Sequence, residues 1–481
     1  MKTGKVFLVG AGPGDVGLIT VKGMEAIQQA DVILYDRLAN PKLLKFAPAN
    51  CELIYCGKLP DRHVLRQEAI NSLLVEKGLQ GKIVVRLKGG DPGVFGRVGE
   101  EAAALAEHNI PYEMVPGITS GIAAPLYAGI PVTHREFGES FAIVTAHDKS
   151  REGQPNLNWA GLATSIDTIA FYMGISNLPY IAENLIKHGK PSNTPVILIR
   201  WGTFGRQQTL EGTLSTIAEK AKAEKFANPA ITLVGDIVSV REKLNWFEKK
   251  PLFGRQILLP RTGTDESRMA KELSDHGADV IEFPRWIRTV APINHELLDK
   301  ISSYEKILFT SPESVNDFFE VLLNQGIDVR SMKANLYGLS SKSIRAIQAK
   351  GLLAELMDEM DVKEEVVKFL VVGDEHQEST FGKTDFYRTS SKEIDKSFLP
   401  ILARMLEESD INTILLPSSS AVHVLMTEGI NDELISNELL EKAEVVCLGE
   451  KTEAALRKYG YQADLLPDSP TIESVLKCLK K

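Results

Sequence analysis

VFLVGAGPGDVGLITVKGMEAIQQADVILYD, residues 6–36, decides the class of fold. An apolar run stops at glycines, a helical pattern follows, and a second apolar run ends at Asp36, which is the spacing of a strand–helix–strand unit. The turn Gly10-Ala11-Gly12-Pro13-Gly14-Asp15 and the acid at Asp36 bring a dinucleotide fold into consideration. Two features oppose it. Asp15 stands where the third glycine is needed, and Pro13 removes a backbone donor from a loop that would have to cradle pyrophosphate. A glycine turn with a purely structural role is the other reading.

Working outward, short apolar runs recur between helical patterns and Gly/Pro punctuation. VFLVG, VILYD, LIYCG, IVVRL and YEMVP fall within 6–116, and FAIVTA, TIAFYM, VILIRW and AITLVGD within 141–236. This is α/β patterning with mainly parallel sheets expected, divided into sub-domains of about 1–117 and 139–247. NWFEKKPLFGR at 245–255 mixes charge, Pro and Gly ahead of the strand QILLP, so 248–254 reads as a linker to a further domain over 255–481. That domain repeats itself. ILFTSPESV at 307–315 resembles ILLPSSSAV at 414–422, and LYGLSSKSIRAIQAKG at 336–351 resembles VCLGEKTEAALRKYG at 446–460. The offset predicts two related α/β lobes. The second is shortened: 22 residues separate Arg261 from Phe283, but only 12 separate Asp374 from Phe386, too few for a three-turn helix with its turns.

Composition bounds the function. The chain has 481 residues, 43% hydrophobic and 25% charged, with 37 Gly and 23 Pro, values near the globular average that exclude collagen, coiled coil and general disorder. At ~100–200 residues per domain, the length allows three or four. No apolar stretch approaches the ~18 residues of a membrane span, and the N-terminus lacks a signal-peptide core. Four cysteines without C-x2-C spacing predict a reducing cytoplasm, no disulfide framework and no metal. The net charge of -9 is uneven: residues 1–250 carry 28 Lys+Arg against 25 Asp+Glu, and 251–481 carry 27 against 39. Neither half is basic enough for nucleic acid, but the first could hold a polyanionic small molecule in a local cationic cleft.

Two more loops carry chemistry. In Arg86-Leu87-Lys88-Gly89-Gly90-Asp91-Pro92 the paired glycines let a ligand lie against backbone, and Asp91 offers an acceptor. In Val115-Pro116-Gly117-Ile118-Thr119-Ser120-Gly121 the hydroxyls either cap a helix or face a ligand.

Taken with QEAINSLLVEKGLQGKIVVRLKGGDP, FGRVGEEAAALAEHNIPYEMVPGITSGIAA, YAGIPVTHR, FYMG, TPVILIRWGT, LEGTL and REKLNWFE, these stretches resemble the uroporphyrinogen-III C-methyltransferase family of tetrapyrrole methylases across residues 1–247. Gly93-Val94 after GGDP and Val98 before GEE depart from the family's usual pattern. The resemblance implies a methylase fold of two α/β sub-domains, a homodimer through this half, and S-adenosylmethionine as methyl donor. It implies that Pro13, Gly89, Gly90, Asp91, Val94, Thr119, Ser120, Met173, Gly202 and Ala230 line the donor's site. It further implies Asp36 as proton acceptor and Lys58 as proton donor in converting uroporphyrinogen III to precorrin-2 by methylation at C2 and C7. Without the resemblance, Asp36 also reads as a solvated strand-end acid and Lys58 as a surface lysine, and Met173 reads more often as core than as ligand. A tetrapyrrole with eight carboxylates calls for cations, and Arg37, Arg62, Arg66, Arg86, Arg97 and Arg135 with His63 and His134 are the candidates.

GRQILLPR, HGADVIEFP, ILFTSPESVNDFF, FYRT, ILLPSSSAVHVL and LGEKTEAALRKYGYQAD are similar to uroporphyrinogen-III synthase, implying a two-lobed α/β domain over 255–481 that closes hydroxymethylbilane. On those segments Tyr387 is the candidate proton donor, and Ser311, Ser418, Ser419 and Thr452 are candidate substrate hydroxyls, with helix caps as the alternative for each hydroxyl. Two rival functions stand beside this one: a nucleotide-dependent oxidoreductase using the first glycine loop, and a synthase-like half kept only for docking.

Overall fold

The computed structural model describes residues 4–57, 66–147, 153–264, 266–357, 368–382, 384–431 and 434–479. Its first sheet contains β1 (Lys5–Gly10), β2 (Val32–Tyr35), β3 (Glu52–Tyr55), β4 (Ile83–Lys88) and β5 (Tyr112–Val115) in the order β3-β2-β4-β1-β5, every pair parallel. Parallel pairing requires crossovers, and the helices Val21–Gln28, Gln67–Leu79 and Val98–Glu107 supply them. The Thr20 hydroxyl caps the first by accepting from the Gly23 N–H. Val6, Leu8, Val32, Leu34, Leu74 and Leu105 form the core on one face.

The second sheet holds β6 (Phe141–Thr145), β7 (Thr168–Tyr172), β8 (Pro195–Arg200), β9 (Gln208–Thr213) and β10 (Ala230–Val234), ordered β6-β7-β10-β8-β9. Here the expectation of mainly parallel pairing needs correction: β6–β7 is parallel and the other three pairs are antiparallel. The link from β8 to β9, residues 201–207, is too short for a crossover, which needs about a dozen residues, so the chain must double back. β9 itself escapes sequence reading because QTLEGT is polar and buries mainly Leu210, as an edge strand does.

Among the described residues ten further strands make two sheets: β11 (Gln256–Pro260), β12 (Asp279–Phe283), β13 (Trp286–Val290), β14 (Lys306–Phe309), β15 (Asn335–Gly338), β16 (Glu355–Leu356), β17 (Phe369–Asp374), β18 (Asp385–Ile394), β19 (Thr413–Leu416) and β20 (Glu444–Cys447). Their orders are β12-β11-β19-β20 and β13-β18-β17-β14-β15-β16. The sequence repeat is β14–helix–β15–helix against β19–helix–β20–helix, one copy in each sheet. The lobes interleave. The first takes strands from both ends of the domain, and the second lies within it. The helix Arg268–Asp275 joins β11 to β12, whereas a 3-10 turn, Glu375–Thr380, joins β17 to β18, which is the shortening that the spacing predicts.

Two compact units result, one of residues 1–261, 267–283 and 399–481, the other of 262–266 and 284–398. The first therefore contains both methylase-like sub-domains and the first lobe. Residues 248–254 are packed, with Leu252 fully buried in the first lobe's core.

Candidate functional site

The loops that leave the carboxyl ends of β1, β2, β4 and β5 converge, as ligand loops do in open parallel sheets. Gly12 and Gly90 pair as an isolated antiparallel bridge, with N···O distances of 3.2 and 2.8 Å. A Cβ on Gly10 would lie 2.6 Å from the Gly117 nitrogen and 2.7 Å from the Gly90 oxygen, so three loops touch backbone to backbone. Asp91 locks this crossing: one carboxylate oxygen accepts from the Gly93 N–H at 2.7 Å and the other from the Gly117 N–H at 2.9 Å.

Across from these loops stand residues that follow β7 and β8 and those that open β10. The Tyr172 hydroxyl accepts from the Gly121 N–H and pairs with the Thr119 hydroxyl, both at 2.5 Å. The helix Ser120–Tyr127 is thus capped from β7, and the Thr119 side chain makes no cap bond of its own. Phe95, Met173, Trp201 and Thr203 hold left-handed backbone, with φ from 50 to 75°. Non-glycine residues in that region cost free energy and gather at ligand sites.

The cleft enclosed in this way is about 710 Å³. Pro13, Gly89, Gly90, Asp91, Val94, Thr119, Ser120, Met173, Gly202 and Ala230 all line it, and so does Asp36. Sequence reading missed other walls: Lys88, Phe95, Tyr172, Trp201 and Phe204. Phe95 and Trp201 lie inside quoted motifs, but an aromatic there looks like core until its backbone strain is seen.

A chain of charges runs from the cleft into the core. Arg86 Nη2 donates to Asp36 Oδ1 at 2.5 Å and Arg86 Nε to Glu101 Oε1 at 3.1 Å, while Lys88 Nζ reaches the same Glu101 oxygen at 2.8 Å. Asp36 is 31% exposed, Arg86 2% and Glu101 not at all. Burial pulls the Arg86 pKa down, but Asp36 and Glu101 more than reverse this and leave it raised. Burial, aided by Arg86, lowers Lys88, with Glu101 opposing. Burial pushes the neighbouring Cys56 thiol up to about 11. Arg86 is consequently not an open cation for substrate carboxylates, since both faces of its guanidinium are spent inside the protein. It braces Asp36.

Of the other cationic candidates, Arg37 lines the cleft and pairs with Glu408 at 2.9 Å. Arg97 is exposed and pairs with Glu100, Arg66 is exposed ahead of its helix, and Arg135 is exposed. The His134 ring accepts from the Glu136 N–H at 3.1 Å. Lys58, Arg62 and His63 lie outside the described residues.

In the second unit Tyr387 is 1% exposed, its ring 5.0 Å from Phe318 within the core. Burial raises its pKa, and the Asn294 N–H is its hydrogen-bond partner. The expected cleft-edge proton donor is therefore a core residue. Ser311 and Ser418 cap the helices Pro312–Asn324 and Ser419–Val424, the alternative reading of each hydroxyl. Ser419 donates to the Lys451 carbonyl at 3.0 Å, and Thr452 is buried in the first turn of Glu450–Arg457.

Residues 5–218 match the family of Tetrapyrrole (Corrin/Porphyrin) Methylases, and residues 267–380 and 375–477 match Uroporphyrinogen-III synthase HemD. A uroporphyrinogen-III C-methyltransferase of Bacillus subtilis is 49% identical over 96% of this chain and 95% of its own length. The chain belongs to the uroporphyrinogen-III C-methyltransferases. The relationship spans both halves, since the porphyrin biosynthesis protein HemD of Ruminiclostridium josui is 35% identical over 99% of this chain and 97% of its own. A solved uroporphyrin-III C-methyl transferase of Thermus thermophilus, complexed with S-adenyl homocysteine, is 36% identical over 49% of this chain and 100% of that one, with a TM-score of 0.43. Among the described residues no helix is long and apolar enough to cross a membrane, and no group of three or more His, Cys, Asp or Glu is placed to hold a metal.

Proposed function

We propose that residues 1–247 methylate uroporphyrinogen III at C2 and C7 to give precorrin-2, and that residues 255–481 make uroporphyrinogen III from hydroxymethylbilane, with 248–254 joining them. The observation that carries the methyltransferase reading is one cleft lined at once by the three glycine loops, Met173, Gly202, Ala230 and Asp36. The cleft fits S-adenosylmethionine: at Gly90 a Cβ would meet nothing nearer than 3.8 Å, so a ligand can lie on that backbone, and the strained Met173 is 46% exposed on the cleft wall. When bound, that molecule supplies an electrophilic methyl group on sulfur.

The chain's own residues supply the rest. Walls fixed by the Gly10–Gly90–Gly117 contact would hold a pyrrole ring against the donated methyl. Attack of the pyrrole carbon on that methyl would break the methyl–sulfur bond and release S-adenosylhomocysteine, and the Asp36 carboxylate at the cleft wall is placed to accept the proton that the methylated ring must then lose. Arg86, locked by Glu101, fixes which way that carboxylate points. Lys58 is proposed as the proton donor, and Arg37 as a contact for a substrate carboxylate.

The methyltransferase half is proposed to dimerise in the cytoplasm. The edge strand β5 exposes Tyr112 and Met114, and Ile122 and Leu126, four apart on one helix face, are 43% and 49% exposed beside Trp246. Light scattering on the purified chain tests this, with a monomer mass against it. A second reading, a synthase-like half without catalysis, draws on the burial of Tyr387 and the capping roles of Ser311 and Ser418. One experiment addresses both halves: the full chain is given hydroxymethylbilane and S-adenosylmethionine. Precorrin-2 formed by way of uroporphyrinogen III is expected. Isomer I alone, the product of spontaneous closure, removes the synthase activity, and unmethylated uroporphyrinogen III removes the transferase activity.

A further inference from the structure

Asp279 opens β12 in the first lobe and is only 6% exposed, yet the cations that neutralise it come from the methyltransferase half: Lys42 at 2.8 Å and Arg206 at 3.5 Å. A buried carboxylate is tolerated only when paired, so this one is built for the neighbouring half and not for its own lobe.

Both cations belong to segments that line the cleft. Lys42 lies on the 3-10 helix Pro41–Phe46, directly after Asp36, Arg37 and Leu38, and Asn40 ties the same loop to the Gly14 carbonyl at 2.6 Å. Arg206 lies in the β8–β9 loop, whose Trp201, Gly202 and Phe204 form the opposite wall. Its guanidinium stacks 4.4 Å from the Trp201 ring and 5.1 Å from Phe204, and it donates to the Ser409 hydroxyl at 2.5 Å. The fit is close on the backbone as well. A Cβ on Gly205 would fall 2.4 Å from the Gly277 oxygen and 2.5 Å from the Asp279 nitrogen, and the Gly254 N–H donates to the Gly205 carbonyl at 2.9 Å. Strained Trp201 and Thr203 need such support, because nothing in their own dihedral preferences keeps them in place.

We propose that Asp279 of the synthase-like half is a positioning residue for methyl transfer, clamping the 36–42 and 201–207 walls of the cleft through Lys42 and Arg206. The C-terminal half is then part of the methyltransferase site and not a detachable module. The inference rests on the methyltransferase reading of that cleft.

The test uses the full chain with Asp279→Asn, and with Asp275→Asn, an exposed carboxylate of the same lobe, as control. For Asp279→Asn the KM for uroporphyrinogen III and the calorimetric Kd for S-adenosylhomocysteine should both rise about tenfold, the scale of a slightly misplaced wall, while kcat falls less than about threefold. The control should change neither. A folded Asp279→Asn chain with wild-type KM and Kd overturns the proposal, as does one that loses only uroporphyrinogen III synthesis. If Asp279→Asn does not fold, Ser409→Ala decides, since it removes one anchor of Arg206 without uncovering a charge: a twofold or larger rise in Kd supports the clamp, and an unchanged Kd overturns it. A wild-type chain that binds S-adenosylhomocysteine but transfers no methyl group counts against the assigned reaction, and the Kd comparison still judges the clamp.

Discussion

Asp36 shows how one residue's role depends on what stands behind it. As a strand-end acid it reads as solvated, but Arg86 at 2.5 Å aims it into the cleft and is itself held by Glu101. Asp36→Asn keeps the shape and removes the proposed base, so methyl-transfer turnover should drop ~10²-fold or more, with S-adenosylhomocysteine affinity almost unchanged by calorimetry. Near-normal turnover would mean that the proton leaves by another group. Tyr387 is the reverse case, an expected acid that packs as core. Tyr387→Phe should cost about 0.5–1.5 kcal/mol in urea unfolding, the worth of one hydrogen bond, and leave synthase turnover within about threefold. A proton donor would instead lose ~10²-fold or more.

Among elements, the β8–β9 loop matters most, because its antiparallel return brings Trp201, Gly202 and Phe204 to the cleft. Gly202 has no room to spare: a Cβ there would sit 2.3 Å from the Ala124 Cβ of the helix Ser120–Tyr127. Gly202→Ala should push the loop away and weaken S-adenosylhomocysteine binding ~5- to 100-fold, the equivalent of about 1–3 kcal/mol of overpacking. Gly99→Ala, in a helix with nothing within 4 Å of the new methyl, should leave binding alone and raise stability by roughly 0.5–1 kcal/mol. Equal binding by the two variants would show that the loop is not held by that helix.

For the whole molecule, the seam within the first unit is electrostatic at its centre. Burial raises the Asp279 carboxyl, and Lys42 and Arg206 more than reverse that, leaving it below the ordinary carboxylate range. A depressed carboxyl stabilises the fold above its unfolded pKa of about 4, and the contribution is lost as pH falls through the lower folded value. Wild type should therefore lose more melting temperature than Asp279→Asn between neutral pH and pH ~3, measured by scanning calorimetry. Parallel curves for the two proteins would show that the carboxylate contributes nothing on folding.

What the sequence determined by itself was local: apolar runs ending in glycines, which place the strands of the first sheet, most of the second and the loops at their ends. Gly10 and Gly117 are legible because only a residue without a Cβ permits such backbone approach, and Gly12 and Gly90 because their left-handed backbone, φ 75 and 70°, favours glycine, whereas Met173 and Ala230 are legible only through family resemblance. Long-range pairing was not legible. Whether 201–207 turns back, which lobe each repeat copy joins, and that Arg86 and Tyr387 face inward depend on partners tens to hundreds of residues away, and a run of side-chain types does not encode them. Asp279 is the extreme case. It is an unremarkable acid at a strand start until tertiary folding brings Lys42 to it across 237 residues of chain, where burial makes the pairing obligatory.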